Sequence, residues 1–304
     1  MTQDQPEHGE IPPGAGAPGA ASSINENPRL PGGLELPTGR MLVMGVLNVT
    51  PDSFSDGGKW GAPAAAVEHA IEMVAQGADI IDVGGESTRP NSRRITTGEE
   101  WARIEPVVES LADRGFIVSV DTLHADTARR AADAGAAIIN DVSGGRFDPD
   151  MNAAVADSDC AYVIQHFRQL PGDPHEDFDY GGDVTAKVLE ETLGQVRDAL
   201  DAGIRRDRIV IDPGLGFALL PEQAWQILSE LPELNKPGYP VLIGPSRKRF
   251  LRASTTGDPD VDTVRVVQAC AEAGMWAVRV HAVEANAHVA RNQTAAWGGT
   301  NDDE

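Results

Sequence analysis

The sequence predicts a (β/α)₈ barrel, and three observations carry that reading. Eight short apolar runs rich in Val and Ile recur along the chain. Amphipathic stretches lie between them, and four of these stop at a glycine. The chain has 304 residues, room for the roughly 250 that such a barrel takes. Continuous apolar runs of this length suit strands buried on both faces. A doubly wound open sheet is the second choice, weakened because no G-x-G-x-x-G follows an early strand.

The elements follow in order. Residues 1–36 are rich in Pro, Gly, Ala, Ser and Glu with no apolar period, so they are expected to be a disordered tail. The barrel domain is expected over 37–297, with a disordered acidic tail at 298–304. The strand runs are MLVMGVL (41–47), ADIIDV (78–83), FIVSVD (116–121), AAIIND (136–141), AYVIQH (161–166), RIVIDP (208–213), YPVLIG (239–244) and WAVRVH (276–281). AAAVEHAIEMVAQG repeats apolar residues at helical spacing and stops at Gly77. HADTARRAADAG stops at Gly135, VTAKVLEETLGQVRDALDAG at Gly203 and VDTVRVVQACAEAG at Gly274. Glycine ends a helix well because it takes the left-handed conformation without a Cβ penalty. The helical stretch at 149–159 is short, and that at 220–234 carries Pro221 where a first turn tolerates it.

Composition narrows the function. Lys and Arg total 25 against 47 Asp and Glu, a formal charge of −22. Such a field argues against nucleic-acid binding, and an anionic substrate would need a local basic cluster. No apolar stretch reaches the length of about 18 residues that a membrane span needs. The N-terminus lacks the basic and apolar regions of a secretory signal. The two cysteines, Cys160 and Cys270, lie far apart in apolar surroundings, which suggests buried inert thiols and a cytoplasmic location.

In a barrel of this kind chemistry sits at the C-terminal ends of the strands. The runs here end in Asn48, GGESTRPNSRR, Asp121-Thr122, Asn140-Asp141, His166-Phe167-Arg168, DPGLGF from Asp212, GPSRKR from Gly244, and Arg279-Val280-His281. Singly, each has a plainer reading: Asp121 or Asn140 as a helix cap, DPG as a turn, SRKR as a solvated patch. Arg279 and His281 alternate and so share one strand face, which calls for an anion or a buried partner. Together these ends would form one rim of carboxylates, amides and cations. Asp121, Asn140, Asp212 and Lys248 could meet the N–H groups and carbonyl of an amino-pyrimidinone heterocycle. Arg89, Arg247, Arg279 and His281 suit phosphate oxygens, and Thr88 and Ser246 add hydroxyls. There is no Cys/His metal cluster, no H-E-x-x-H and no G-x-S-x-G.

MGVLNVTPDSFSDGG, GADIIDVGGESTRP, SVDT, AAIINDVSGG, DPGLGF, SRKRF and RVH stand in the order found in dihydropteroate synthases, and the chain resembles that family from about Leu42 to Val283. The resemblance implies a (β/α)₈ barrel that joins p-aminobenzoate to a dihydropterin methyl diphosphate and releases diphosphate. It implies that Thr88, Asp121, Asn140, Asp212 and Lys248 hold the pterin. Arg89 and Ser246 would serve p-aminobenzoate. Asn48, Arg279 and His281 would hold the diphosphate, with Asn48 also on Mg²⁺. Asp121, Arg279 and His281 would act in catalysis. The loop after the first strand would be a mobile lid, the family is a sulfonamide target, and a homodimer is expected. Leu219 and Ala224 replace a lysine and an asparagine usual in the family, QHFRQ replaces its Met-His-Met-x-Gly, and RVHAV its RVHDV. Two other readings are a weakly active or non-catalytic pterin-binding paralogue and a pterin-dependent methyltransferase. The cationic ESTRP, SRK and RVH segments speak against the methyltransferase.

Overall fold

Among the described residues eight strands form, each where an apolar run stands: β1 Leu42–Asn48, β2 Ile80–Gly84, β3 Val118–Asp121, β4 Ile138–Asp141, β5 Ala161–Gln165, β6 Ile209–Asp212, β7 Leu242–Ile243 and β8 Ala277–Val280. The computed structural model describes residues 26–50, 62–87, 92–253 and 258–292. The sheet order is β6-β5-β4-β3-β2-β1-β8-β7, and every pairing is parallel. A bridge between Ile211 and Val241 joins its two edges. The chain is therefore a (β/α)₈ barrel.

The helices are α1 Ala62–Gln76, α2 Thr97–Asp113, α3 Ala125–Asp133, α4 Met151–Ala156, α5 Val184–Asp201, α6 Pro221–Ser229, α7 Leu231–Leu234, α8 Pro259–Glu272 and α9 Val283–Asn292. The segments of α2 and α9 were not singled out from sequence. Pro106 inside α2 interrupts a pattern that is otherwise strong: Thr96 caps its start, and Trp101, Ile104, Val107, Val108 and Leu111 bury one face. Gly45 on β1 faces the helices. A Cβ there would lie 3.0 Å from Met73 Sδ on α1 and 3.1 Å from Val283 Cγ2 on α9, so the bare backbone lets both helices seat on the strand.

Side chains alternate along a strand, so every second residue points into the barrel. Leu42, Met44, Ile80, Ile138, Val163, Val210 and Leu242 pack together there as an apolar plug. Leu30 and Leu36 are buried in the same cluster. The Asn27 amide donates to Leu36 O at 2.8 Å, and the Trp276 indole donates to Asn27 Oδ1 at 2.9 Å. Residues 26–36 thus differ from the disordered tail expected for 1–36. Two leucines spaced six apart bury on the plug, although the surrounding Pro and Gly hide any period.

Cys160 and Cys270 are both buried and unbridged. Among the described residues, no helix is long and apolar enough to cross a membrane. Replacing Leu30 with Ala is expected to lower unfolding free energy by about 2–3 kcal/mol, measured by urea denaturation.

Candidate active site

Above the apolar plug, the same inward-facing rows turn polar. On β2 the row runs Ile80, Asp82, Gly84, on β4 Ile138 then Asn140, on β6 Val210 then Asp212, and on β8 Ala277 then Arg279. The change occurs toward the C-terminal ends of the strands. It brings ionic groups into an otherwise apolar tube.

Arg279 is the hub. Its Nε donates to Asp82 Oδ2 at 2.6 Å and its Nη2 to Asp121 Oδ2 at 2.7 Å. Asn140 Nδ2 donates to the same Asp82 oxygen at 3.1 Å. Burial alone would lower the Arg279 pKa, but Asp82 and Asp121 outweigh it and raise it above the ordinary arginine value. Asp121 is pushed up to about 7. Burial is the largest cause, Arg279 opposes it, and the neighbouring carboxylate Asp82 adds to it.

A second ionic pair of elements comes from β6 and the loop after β7. Asp212 Oδ1 accepts the Gly214 N–H at 2.7 Å. Burial pushes the Asp212 carboxyl from its ordinary 3.8 up to about 6. Burial also brings Lys248 down to about 8, with Arg279 adding repulsion and Asp212 and Asp121 opposing both. The Lys248 ammonium stands 4.4 Å from the centre of the Phe217 ring. Its stem crosses Gly216, where a Cβ would lie 3.0 Å from Lys248 Cδ. Gly216 has φ +88, so the DPGLGF turn needs glycine there for conformation and for space. Beside Lys248, Arg247 is held at φ 58, a left-handed conformation that is uncommon for a side-chain-bearing residue. Ser246 accepts from the His281 backbone N–H at 3.3 Å and meets His281 Nδ1 at 3.0 Å.

Asn48, Glu86, Asp121, Ser246, Lys248, Arg279 and His281 all line one cavity of about 170 Å³ at the strand ends. Asn140 and Asp212 stand just below, through Asp82 and through the charge of Lys248. Eight of the ten residues expected from sequence are thereby brought together. Thr88, Arg89 and residues 51–61 of the expected lid lie outside the described residues.

Asp82 and Glu86 are the residues that sequence reading missed. Asp82 is fully buried, and a carboxylate in the middle of ADIIDV signals a required buried cation. Glu86 takes His124 Nε2 at 3.0 Å, Arg94 Nη1 at 3.2 Å and the Ile95 N–H at 3.3 Å. Those bonds outweigh burial and hold its pKa below the ordinary value.

A family model described as pterin binding enzyme matches residues 44–281. A dihydropteroate synthase from Mycobacterium leprae is 46% identical over 265 residues, covering 84% of this chain and 93% of the relative. The chain belongs to the dihydropteroate synthase family. Among solved structures, a Yersinia pestis dihydropteroate synthase in a sulfonamide drug complex superposes with a TM-score of 0.80 at 34% identity, covering 87% of this chain and 97% of that one. A Xanthomonas albilineans dihydropteroate synthase in complex with 7,8-dihydropteroate gives 0.76 at 34%, covering 88% and 97%.

Two departures from the dihydropteroate synthase pattern have a clear setting. Leu219 and Ala224 are buried in the apolar layer between strands and helices, with Ile227. Neither lines the cavity.

The raised Asp212 pKa has a stability consequence. An acid that is harder to ionise when folded weakens folding as pH rises through the window from about 4 to about 6, and the full penalty persists above it. Asp212→Asn is therefore expected to gain about 3 kcal/mol of stability at pH 8 and close to none at pH 3. Urea titrations at the two pH values check it.

Proposed function

We propose that the protein is a dihydropteroate synthase acting in folate biosynthesis. It joins the amine of p-aminobenzoate to the methyl carbon of a dihydropterin methyl diphosphate and releases diphosphate. One observation carries this reading. Carboxylates suited to the pterin edge, Asp121 and Asp212, share a single barrel mouth with Lys248, Arg279 and His281.

In this reading the pterin ring lies flat above the apolar plug. Asp212 and Asn140 meet its polar edge, Lys248 faces its carbonyl, and Thr88 helps place it. A carboxylate accepts two adjacent N–H groups well, and a lysine ammonium is a strong donor to a carbonyl. Arg279 and His281 face the diphosphate. Arg89 and Ser246 form part of the p-aminobenzoate pocket. A Xanthomonas albilineans dihydropteroate synthase with 4-aminobenzoic acid, 38% identical to this chain, supports that second substrate.

The C–O bond to diphosphate breaks first, and its electron pair leaves with the anion. The remaining pterin-methyl cation is delocalised into the ring. The arylamine nitrogen then forms the C–N bond and loses a proton. The chain must stabilise opposite charges as they part, and fixed groups do so without reorganising. Arg279 and His281 favour the departing anion. Asp121, already oriented by Arg279 at 2.7 Å, favours the cation.

Mg²⁺ fits this cavity through Asn48. Asn48 lines the cavity and carries a hard oxygen donor, and Mg²⁺ is commonly held by few protein oxygens together with substrate phosphates. When bound, it would supply charge neutralisation for the diphosphate. Among the described residues no set of three His, Cys, Asp or Glu side chains could hold a metal, so substrate oxygens would complete the shell. A cytoplasmic homodimer and sensitivity to sulfonamides belong to the same reading. The Yersinia pestis relative bound to a sulfonamide supports the latter.

The test is product formation from dihydropterin methyl diphosphate, p-aminobenzoate and Mg²⁺. Dihydropteroate appears, and diphosphate release depends on p-aminobenzoate. Pterin binding without product would instead identify a non-catalytic relative. Asp121→Ala and Arg279→Ala are each expected to lower kcat about 100-fold or more, and near-normal turnover in either would contradict these roles.

A further inference from the structure

The loop after β5 carries a cluster that the proposed chemistry does not use. His166 is fully buried, and its Nε2 meets Glu191 Oε2 on α5 at 2.9 Å. Arg168 grips the same carboxylate with both edges of its fork, Nε to Oε2 at 2.9 Å and Nη2 to Oε1 at 2.8 Å. Burial pushes the Glu191 pKa up, but bonds from His166 and Arg168 outweigh it and bring the carboxyl down to about 2. Glu191 is thus ionised at any working pH. A bidentate arginine–carboxylate pair fixes the guanidinium plane.

That plane lies on the Tyr180 ring, with Arg168 Cζ 3.8 Å from the ring centre. Arg168 Nη1 also donates to the carbonyls of Asp177 and Asp179, at 3.2 and 2.8 Å. Tyr180 is buried, and its hydroxyl donates to Ala218 O at 2.8 Å. Ala218 has φ 46, a left-handed conformation that needs outside support in a residue with a Cβ. The two preceding residues, Gly216 and Phe217, are those against which Lys248 rests. Gln223 adds a second tie across these loops, donating to Phe178 O at 2.8 Å.

The geometry points to Tyr180 as a positioning residue for Lys248, oriented by the Arg168–Glu191 pair and acting through the strained Ala218 carbonyl. It touches no reacting atom. It holds the DPGLGF turn in the shape that seats the Lys248 ammonium over Phe217. The inference rests on the proposed pterin role of Lys248. It makes the QHFRQ segment part of the site's support, because His166 and Arg168 both bind the carboxylate that orients the clamp.

Tyr180→Phe removes the hydroxyl and keeps the ring under Arg168. In steady-state assays with dihydropterin methyl diphosphate and p-aminobenzoate, the variant is expected to raise KM for the pterin substrate about fivefold, with KM for p-aminobenzoate changed less than about twofold. Glu191→Gln is expected to show the same split and Glu191→Asp to recover part of it. Calorimetric titration of the wild-type and variant proteins with dihydropterin methyl diphosphate gives the binding half of the comparison directly. Equal pterin affinity in wild type and a folded Tyr180→Phe overturns the inference while leaving the proposed function standing. A parallel rise in both KM values, or a loss explained by a fall in melting temperature alone, also overturns it. A wild-type protein that binds no pterin diphosphate overturns the proposed function, and this inference with it.

Discussion

A guanidinium held between two carboxylates organises this barrel. Arg279 sits inside a tube whose lower half is apolar, and an unpaired charge there would be unfavourable by many kcal/mol. Asp82 and Asp121 make the position tolerable. Burial pushes the Asp121 carboxyl up to about 7, against the pull of Arg279 and with the second carboxylate, Asp82, adding to the rise. Removing one partner from such a buried group typically costs about 3–5 kcal/mol because the others are left uncompensated. The proposed binding chemistry and the stability of the fold therefore meet at the same residues. The Asn140 amide extends the network to β4 by donating to Asp82.

The arrangement follows from the strand period. Because inward positions recur every second residue, one strand can supply plug and site on the same face. Ala277 packs in the apolar cluster, while Arg279, two residues on, enters the cavity. The plug in turn needs closure from below, which Leu30 and Leu36 supply. Loops then complete the mouth. The left-handed residues Gly214, Gly216, Ala218 and Arg247 are concentrated in the turns after β6 and β7, where backbone must bend sharply to bring Asp212, Phe217 and Lys248 to one place.

Most of the fold was legible because burial on both faces writes strands as continuous apolar runs. All eight runs hold strands, although YPVLIG shrinks to Leu242–Ile243. Pro240 in that run has no N–H to give a ladder. The helices that were clear carried a glycine stop, whereas α2 was masked by Pro106. At the site, residue types at strand ends were readable because barrel topology dictates where ends converge. Partners were not readable. Arg279 and Asp82 are 197 residues apart, and they meet only because β1 lies between β2 and β8 in a fixed register. Asp82 was concealed inside a run that read as simply apolar. The Arg168–Glu191–Tyr180 clamp was equally hidden, since it joins three separate segments.

The overall charge of −22 sets a harder condition for an enzyme whose proposed substrates are both anions. Surface charges act through water and salt, and their influence fades over about 8 Å at physiological ionic strength. Water and mobile ions thus screen the cavity from surface charges that lie farther off than that. Against low-dielectric walls each fixed charge counts for more. Lys248, Arg279 and His281 line the space together with Arg247, so the local balance of groups opposes the global one. Arg279 keeps its charge near neutrality, as a guanidinium does, and Asp82 and Asp121 raise its pKa further against burial. Lys248, brought down to about 8 by burial, keeps its charge near neutrality by a narrower margin. An acidic exterior and a cationic mouth are thus compatible, with Asp82 fully buried behind Arg279 and Asp121 beside it in the cavity wall.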